Sequence, residues 1–270
     1  MSVNTTTPAE ADEFWLFGYG SLIWKPPPHY DQRIPGWVTG YVRRFWQDHR
    51  GTPEAPGRVV TLIERSYWRQ LTDHHDSAPE RVWGVAYRIA PDRVDEVKEY
   101  LDIREINGYT IHYTPFHPAV SSSSPGLDPV DPSVMPPHHG PIRTLVYIGT
   151  PDNEQFVGPQ DPQALAEHIW RSEGPSGLNR DYLLELEKAL DALSPDSGDE
   201  HVTDLSNRVR AIASREEEQQ KLKQNTGQTD SILRAHTPVN VSPDLLQQHH
   251  HEGFRKAGSI DEQEETEKKF

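Results

Sequence analysis

Apolar positions along this chain follow two regimes. Up to about residue 149 they come in short runs rich in Val, aromatic and β-branched residues. This predicts strands at 14–18, 36–47, 57–64, 82–89, 109–116 and 143–149. One helix interrupts them over 91–103, where Pro91 and Asp92 open the segment and Val94, Val97 and Leu101 repeat at helical spacing. Later the period becomes helical throughout. Leu165 and Ile169 mark one helix, Leu183, Leu186, Leu190 and Leu193 a second, and Val202, Leu205, Val209 and Ile212 a third. Asn179 is placed to cap the second helix, and GPSG at 174–177 reads as the turn before it. Strands first and helices afterwards fit an α+β fold.

The polar stretches set the boundaries. Residues 1–12 read as a disordered leader, and the patterned region 13–213 as one domain. Two insertions, 66–80 and 117–141, are expected at the surface; the second carries four consecutive Ser and many Pro. From 214 to 270 the chain is charged and poor in large apolar residues, which predicts a mostly disordered tail.

Composition narrows the chemistry. The 270 residues contain no Cys, so disulfides, thiol nucleophiles and Cys-based zinc sites are excluded. A formal charge of −15 argues against a general nucleic-acid binder. Arg43 and Arg44 sit in a strand-like segment beside Phe45 and Trp46, a local feature and not a basic face. The start of the chain has neither the basic flank nor the apolar stretch of a signal peptide, and no run approaches a membrane span. A cytoplasmic monomer that binds neither membrane nor nucleic acid is expected. The fourteen His include the adjacent groups His74–His75, His138–His139 and His249–His251, which lack the spacing of zinc ligands. No metal or other cofactor is expected.

The most informative segment is FGYGSLIWKP at 17–26. Gly18 and Gly20 end a strand and let a ligand approach the main chain closely. The N–H groups around Tyr19, Ser21, Leu22 and Ile23 can form a concavity for an anion or an oxyanion, with the Tyr19 and Ser21 hydroxyls as donors at its rim. Taken alone, GYGS is equally a strand-ending hairpin whose Tyr fills the core.

The wider run resembles the opening motif of the ChaC-type γ-glutamylcyclotransferases. The resemblance continues in order through RRFWQDHRGTPEAPGRVVTLIE at 43–64, VWGVAYRI at 82–89, YLDIREINGY at 100–109, LVYIGTPDNEQFVGP at 145–159 and GPSGLNRDYLLEL at 174–186. It implies a small closed or partly closed β-barrel flanked by helices, the γ-glutamylcyclotransferase-like fold. It also implies a reaction without cofactor, in which the α-amine of a γ-glutamyl group attacks its own γ-carbonyl carbon. Reduced glutathione would yield 5-oxoproline and Cys-Gly. Glu105 matches the family's catalytic Glu, Gly18 to Ile23 would hold the γ-glutamyl moiety, and Tyr182 resembles a pocket Tyr, with Asn179 beside it. Asp102 and Glu64 are rival carboxylates. Arg58 and Gln47 match family blocks and are expected to be structural. Two other readings stay open here: an inactive γ-glutamyl-binding or regulatory protein, and a cyclotransferase for other γ-glutamyl amino acids.

Overall fold

A computed structural model of the chain describes residues 13–52, 55–75, 77–104, 109–119 and 140–234, with side chains at all of these except 49–52, 102–104 and 225–234. The expected Glu105 and most of the 117–141 insertion lie outside the described residues, as do the leader and the end of the tail.

The first strand, β1 (Trp15–Gly18), is buried along its whole length, and β2 spans Tyr30–Thr39. Gly40 then adopts φ 84°, a left-handed conformation costly for any side chain. The single strand expected over 36–47 is therefore two strands, and β3 (Tyr41–Thr52) leaves the direction of β2. The strand β4 (Ala55–Glu64) pairs with β3 alone, as a separate two-stranded ribbon. A single helical turn, α1 (Arg65–Trp68), leads on to β5 (Arg81–Ile89). A 3-10 turn at Pro91–Arg93 opens α2 (Val94–Arg104), which buries Val97 and Leu101 as its spacing predicts. The strand β6 (Thr110–Pro118) runs two residues beyond its expected end, and β7 is Ile142–Ile148.

Five strands close into a barrel in the order β1-β5-β2-β6-β7. Closure joins β1 to β7 in parallel, through Leu16 and Leu145. A closed sheet has no exposed edge to manage. Its core includes Leu16, Val38, Val85, Ala86, Phe116 and Val146, all fully buried.

Helices follow, as expected. In α3 (Pro162–Arg171), Asp161 caps the N-terminus by accepting from Ala164 N–H at 2.9 Å. The GPSG turn belongs to a two-residue hairpin, β8 (Glu173–Gly174) with β9 (Gly177–Leu178). Next comes α4 (Asn179–Asp191), and here the expected cap is wrong: Asn179 is the first helical residue and makes no capping bond. Its buried amide instead clamps β4, with Oδ1 accepting from Arg58 N–H at 2.8 Å and Nδ2 donating to Arg58 C=O at 2.7 Å. Asn179→Ala would leave both Arg58 backbone groups without these partners, an expected cost of roughly 2–4 kcal/mol in urea unfolding. A loss below 0.5 kcal/mol would show that water replaces the clamp.

The last helix, α5 (Glu200–Arg234), corrects the expected disorder from 214 onward. Glu, Gln, Lys and Arg dominate residues 214–223, and these are strong helix formers even without an apolar stripe. The Arg215 guanidinium donates from Nε to Ala211 C=O at 3.1 Å, and Leu222 is exposed. The chain divides into two compact units, one through Val209 and one from Arg210.

The 66–80 insertion is mostly exposed or half-buried, but it is tied down. Trp68 is buried, and the Asp73 carboxylate accepts from Arg44 Nε at 2.6 Å, Trp68 Nε1 at 2.7 Å and His75 N–H at 3.1 Å. A defined proton arrangement follows from the neighbouring histidines. Phe45 N–H donates to His201 Nε2 at 3.0 Å, so the proton of neutral His201 is on Nδ1. That proton faces His75 Nδ1 at 3.2 Å, which leaves His75 Nε2–H for Asp204 at 3.1 Å. Burial holds His201 well below the usual histidine range, helped by the nearby Arg44 guanidinium and His75.

A histidine depressed in the folded state binds its proton more readily when unfolded. It therefore favours folding above the unfolded pKa of about 6.5 and disfavours it progressively below. Thermal melts of the wild type should lose Tm between pH 7 and 5, and His201→Gln, which retains an acceptor, should flatten that slope. Equal slopes for the two proteins would remove His201 from the account.

Candidate active site

The turn after β1 is built from both sides of the barrel. Ser21–Ile23 form one 3-10 turn, with Ile23 N–H donating to Gly20 C=O at 3.0 Å and Lys25 N–H to Ser21 C=O at 2.8 Å. The backbone beyond is pinned by Tyr87 on β5, whose hydroxyl donates to Leu22 C=O at 2.7 Å. Tyr19 is buried, and its hydroxyl donates to Tyr147 C=O on β7 at 2.9 Å. Its donor, expected at the rim, is thus used to anchor the turn across the barrel seam.

One helix turn into α4, Tyr182 comes to meet this segment. Its ring lies 5.5 Å from Trp24 and packs edge-on against Phe45 at 5.9 Å. A Cβ at Gly20 would stand 3.1 Å from the Tyr182 hydroxyl oxygen and 3.1 Å from Val60 Cγ2 on β4. Glycine is what allows the main chain of the turn, Tyr182 and the β3–β4 ribbon to converge. Of the residues expected from sequence, Gly18 to Ile23 and Tyr182 are therefore together. Glu105 lies outside the described residues; the flanking α2 ends at Arg104 and β6 begins at Thr110. The rival Glu64 is exposed at the end of β4, and the side chain of Asp102 is not among those described.

Beneath the site is a charge that the sequence reading assigned no part. Arg43 is buried: Nη1 donates to Asp199 at 3.3 Å and Nη2 to Trp83 C=O. Burial lowers its affinity for its proton, and Asp199, then Tyr182 and Tyr19, raise it again. Both phenols of the site therefore lie within the field of this guanidinium. Trp24 and Asp199 were likewise missed. Trp24 and Arg43 lie in segments that carry the family resemblance, but the roles of all three depend on partners far away in sequence.

Among the described residues there is no group of three or more His, Cys, Asp or Glu arranged to hold a metal ion. No helix there is long and apolar enough to cross a membrane.

The family model described as ChaC-like protein matches residues 14–212, which contain the whole barrel, the turn and α4. The chain belongs to the ChaC-like family. A ChaC-like relative from Schizosaccharomyces pombe, the glutathione-specific γ-glutamylcyclotransferase, is 44% identical over 200 residues, covering 73% of this chain and 92% of its own. The protein of that name from Saccharomyces cerevisiae is 43% identical over 196 residues, covering 65% and 84%. The human glutathione-specific γ-glutamylcyclotransferase 1 is 35% identical over 200 residues, covering 72% and 78%. A crystal structure of the γ-glutamyl cyclotransferase specific to glutathione from yeast superimposes with a TM-score of 0.61 at 38% identity, covering 74% of this chain and 99% of that one. The expected α+β fold, a small β-barrel flanked by helices, is thus the fold observed.

Proposed function

We propose that this ChaC-like protein is a glutathione-specific γ-glutamylcyclotransferase that converts reduced glutathione to 5-oxoproline and Cys-Gly. The observation that carries the reading is the convergence of the Gly18–Ile23 turn with Tyr182, on a chain whose relatives bear that activity in their names.

Nucleophile and electrophile belong to one substrate, so the protein supplies geometry and proton transfer rather than a nucleophile. The turn holds the γ-glutamyl end in a bent conformation that brings its α-amine to the γ-carbonyl carbon, a gain of effective concentration. Main-chain N–H groups of the turn face the developing oxyanion. Glu105 takes a proton from the α-ammonium. The amine nitrogen then bonds to the γ-carbon, and Glu105 returns its proton to the departing cysteinyl nitrogen as the amide C–N bond breaks. The extra proton left on the attacking nitrogen passes by way of Glu105 to the released α-amine of Cys-Gly. The five-membered lactam and a free amine leave together, with no redox change and no cofactor.

Incubation of the purified protein with reduced glutathione, followed by mass spectrometry, should reveal 5-oxoproline and Cys-Gly in equal amounts. Lactam from γ-glutamyl-alanine but not from glutathione would keep the chemistry and move the substrate. Lactam from neither would overturn the reading.

A further inference from the structure

Two buried hydrogen-bond donors lie side by side where the β3–β4 ribbon meets the 149–160 loop. Arg58 donates through Nη1 to Asp48 and through Nη2 to Gln160 Oε1 at a long 3.4 Å. Neither Arg58 Nε nor Gln160 Nε2 has a hydrogen-bond partner among the described residues. Buried polar atoms are nearly always satisfied, so an orphan pair within one contact calls for an explanation. Both are donors, and the chemistry that satisfies two adjacent donors is an acceptor with two oxygens.

Arg58 is arranged to receive one. Asp48 occupies Nη1, the nitrogen on the far side from Nε–H. That leaves the Nε–Nη2 edge, which matches a carboxylate in a two-pronged fork. Gln160 holds that edge only weakly, and rotating its amide turns the orphan Nε2 toward the same point. The Arg58 side chain is 11% exposed while Nε itself is buried, so the edge is screened from bulk water.

Position supplies the ligand. Arg58 and Val60 are two residues apart on β4, hence on one face of the ribbon and about 6.6 Å apart along it. Val60 borders Gly20 in the turn. The helix gives the same ordering: Asn179 grips the Arg58 backbone, and Tyr182 stands three residues further along α4, about 4.5 Å on. In glutathione the cysteinyl and glycyl residues separate the scissile amide from the terminal carboxylate, about 7 Å when extended.

We propose that the Nε–Nη2 edge of Arg58, with the Gln160 amide, is the subsite for the glycyl carboxylate of glutathione. This deepens the cyclotransferase reading and rests on it. It also revises the purely structural role expected for Arg58. Specificity for the tripeptide would then come from a buried donor pair left unpaired by shorter γ-glutamyl compounds.

The test compares kcat/KM for glutathione, γ-glutamyl-cysteine and the glycyl ethyl ester of glutathione, in the wild type and in Arg58→Lys, Arg58→Met and Gln160→Leu. The wild type should favour glutathione over both analogues by at least about tenfold, the equivalent of one hydrogen bond to a charged group. Arg58→Met and Gln160→Leu should bring that ratio toward one, chiefly through KM for glutathione, with Arg58→Lys between. If Arg58→Met fails to fold, Gln160→Leu, which leaves the Asp48–Arg58 pair in place, decides the matter. A ratio unchanged in the variants, with all substrates losing equally, would mean that Arg58 only braces the ribbon and that water meets the donors. A wild type that does not discriminate would also overturn the subsite. No lactam from any compound would instead overturn the cyclotransferase reading, and the subsite with it.

Discussion

Glu105→Gln is expected to lower kcat for glutathione by roughly 10²–10⁴-fold, the range for removing a positioned general acid–base. The α-ammonium of the substrate has a pKa of about 8, so near pH 7 most of it carries the proton that blocks attack. Glutamine keeps the shape and hydrogen-bonding reach of glutamate but has no basic oxygen at this pH. It can neither remove that proton nor return one to the leaving nitrogen. The loss should fall on kcat more than on KM if, as proposed above, the Gly18–Ile23 turn and not this carboxylate holds the γ-glutamyl end. Single-turnover assays of the two proteins, matched for Tm, make the comparison. An undiminished rate would remove Glu105 from the mechanism and turn attention to Asp102 and the exposed Glu64.

The second large effect is on stability. Asp199→Asn is expected to cost about 3–5 kcal/mol, the scale for removing one member of a buried ion pair. The Arg43 and Asp199 side chains are 1% and 5% exposed, so solvent screening offers little relief to the cation left behind. Asp199 also accepts from Val202 N–H at 3.3 Å near the start of α5, and asparagine can retain that bond. The cost should therefore report the pair and not the cap. Urea unfolding of the variant beside the double variant Asp199→Asn/Arg43→Met separates the terms, because removing both charges leaves neither buried without a partner and should be the milder change. A cost under 1 kcal/mol for Asp199→Asn would mean that water reaches Arg43.

Much of this architecture is legible in the sequence because local patterns and the ordered family blocks point to the same elements. The GYGS turn, the apolar runs of the barrel strands and the spacing of Val97 and Leu101 all carry their own signals. The misses share a physical cause. Gly40 sits inside an apolar run, and only its φ reveals that the chain changes sheets there. Asn179 has the composition of a cap, but the backbone of Arg58, 121 residues earlier, offers it two bonds in place of one. Arg43 reads only as a local basic feature of a strand until Asp199, 156 residues later, comes to lie against it. The helix beyond residue 214 was mistaken because apolar content measures what a segment can bury, whereas Glu, Gln and Lys favour the helix through the backbone alone. In the site, glycines and aromatics announced the turn, and the charges around it stayed silent.

The bond from Tyr19 to Tyr147 also sets a schedule for biosynthesis. The two residues are 128 apart in the chain, and ribosomes add about 5–20 residues per second. The turn therefore emerges on the order of ten seconds before the strand that anchors it, and Tyr182 emerges later still. A nascent chain that has reached β7 still lacks Tyr182, the side chain that converges on Gly20. The turn written into the first strand thus waits for two later segments before its walls are complete.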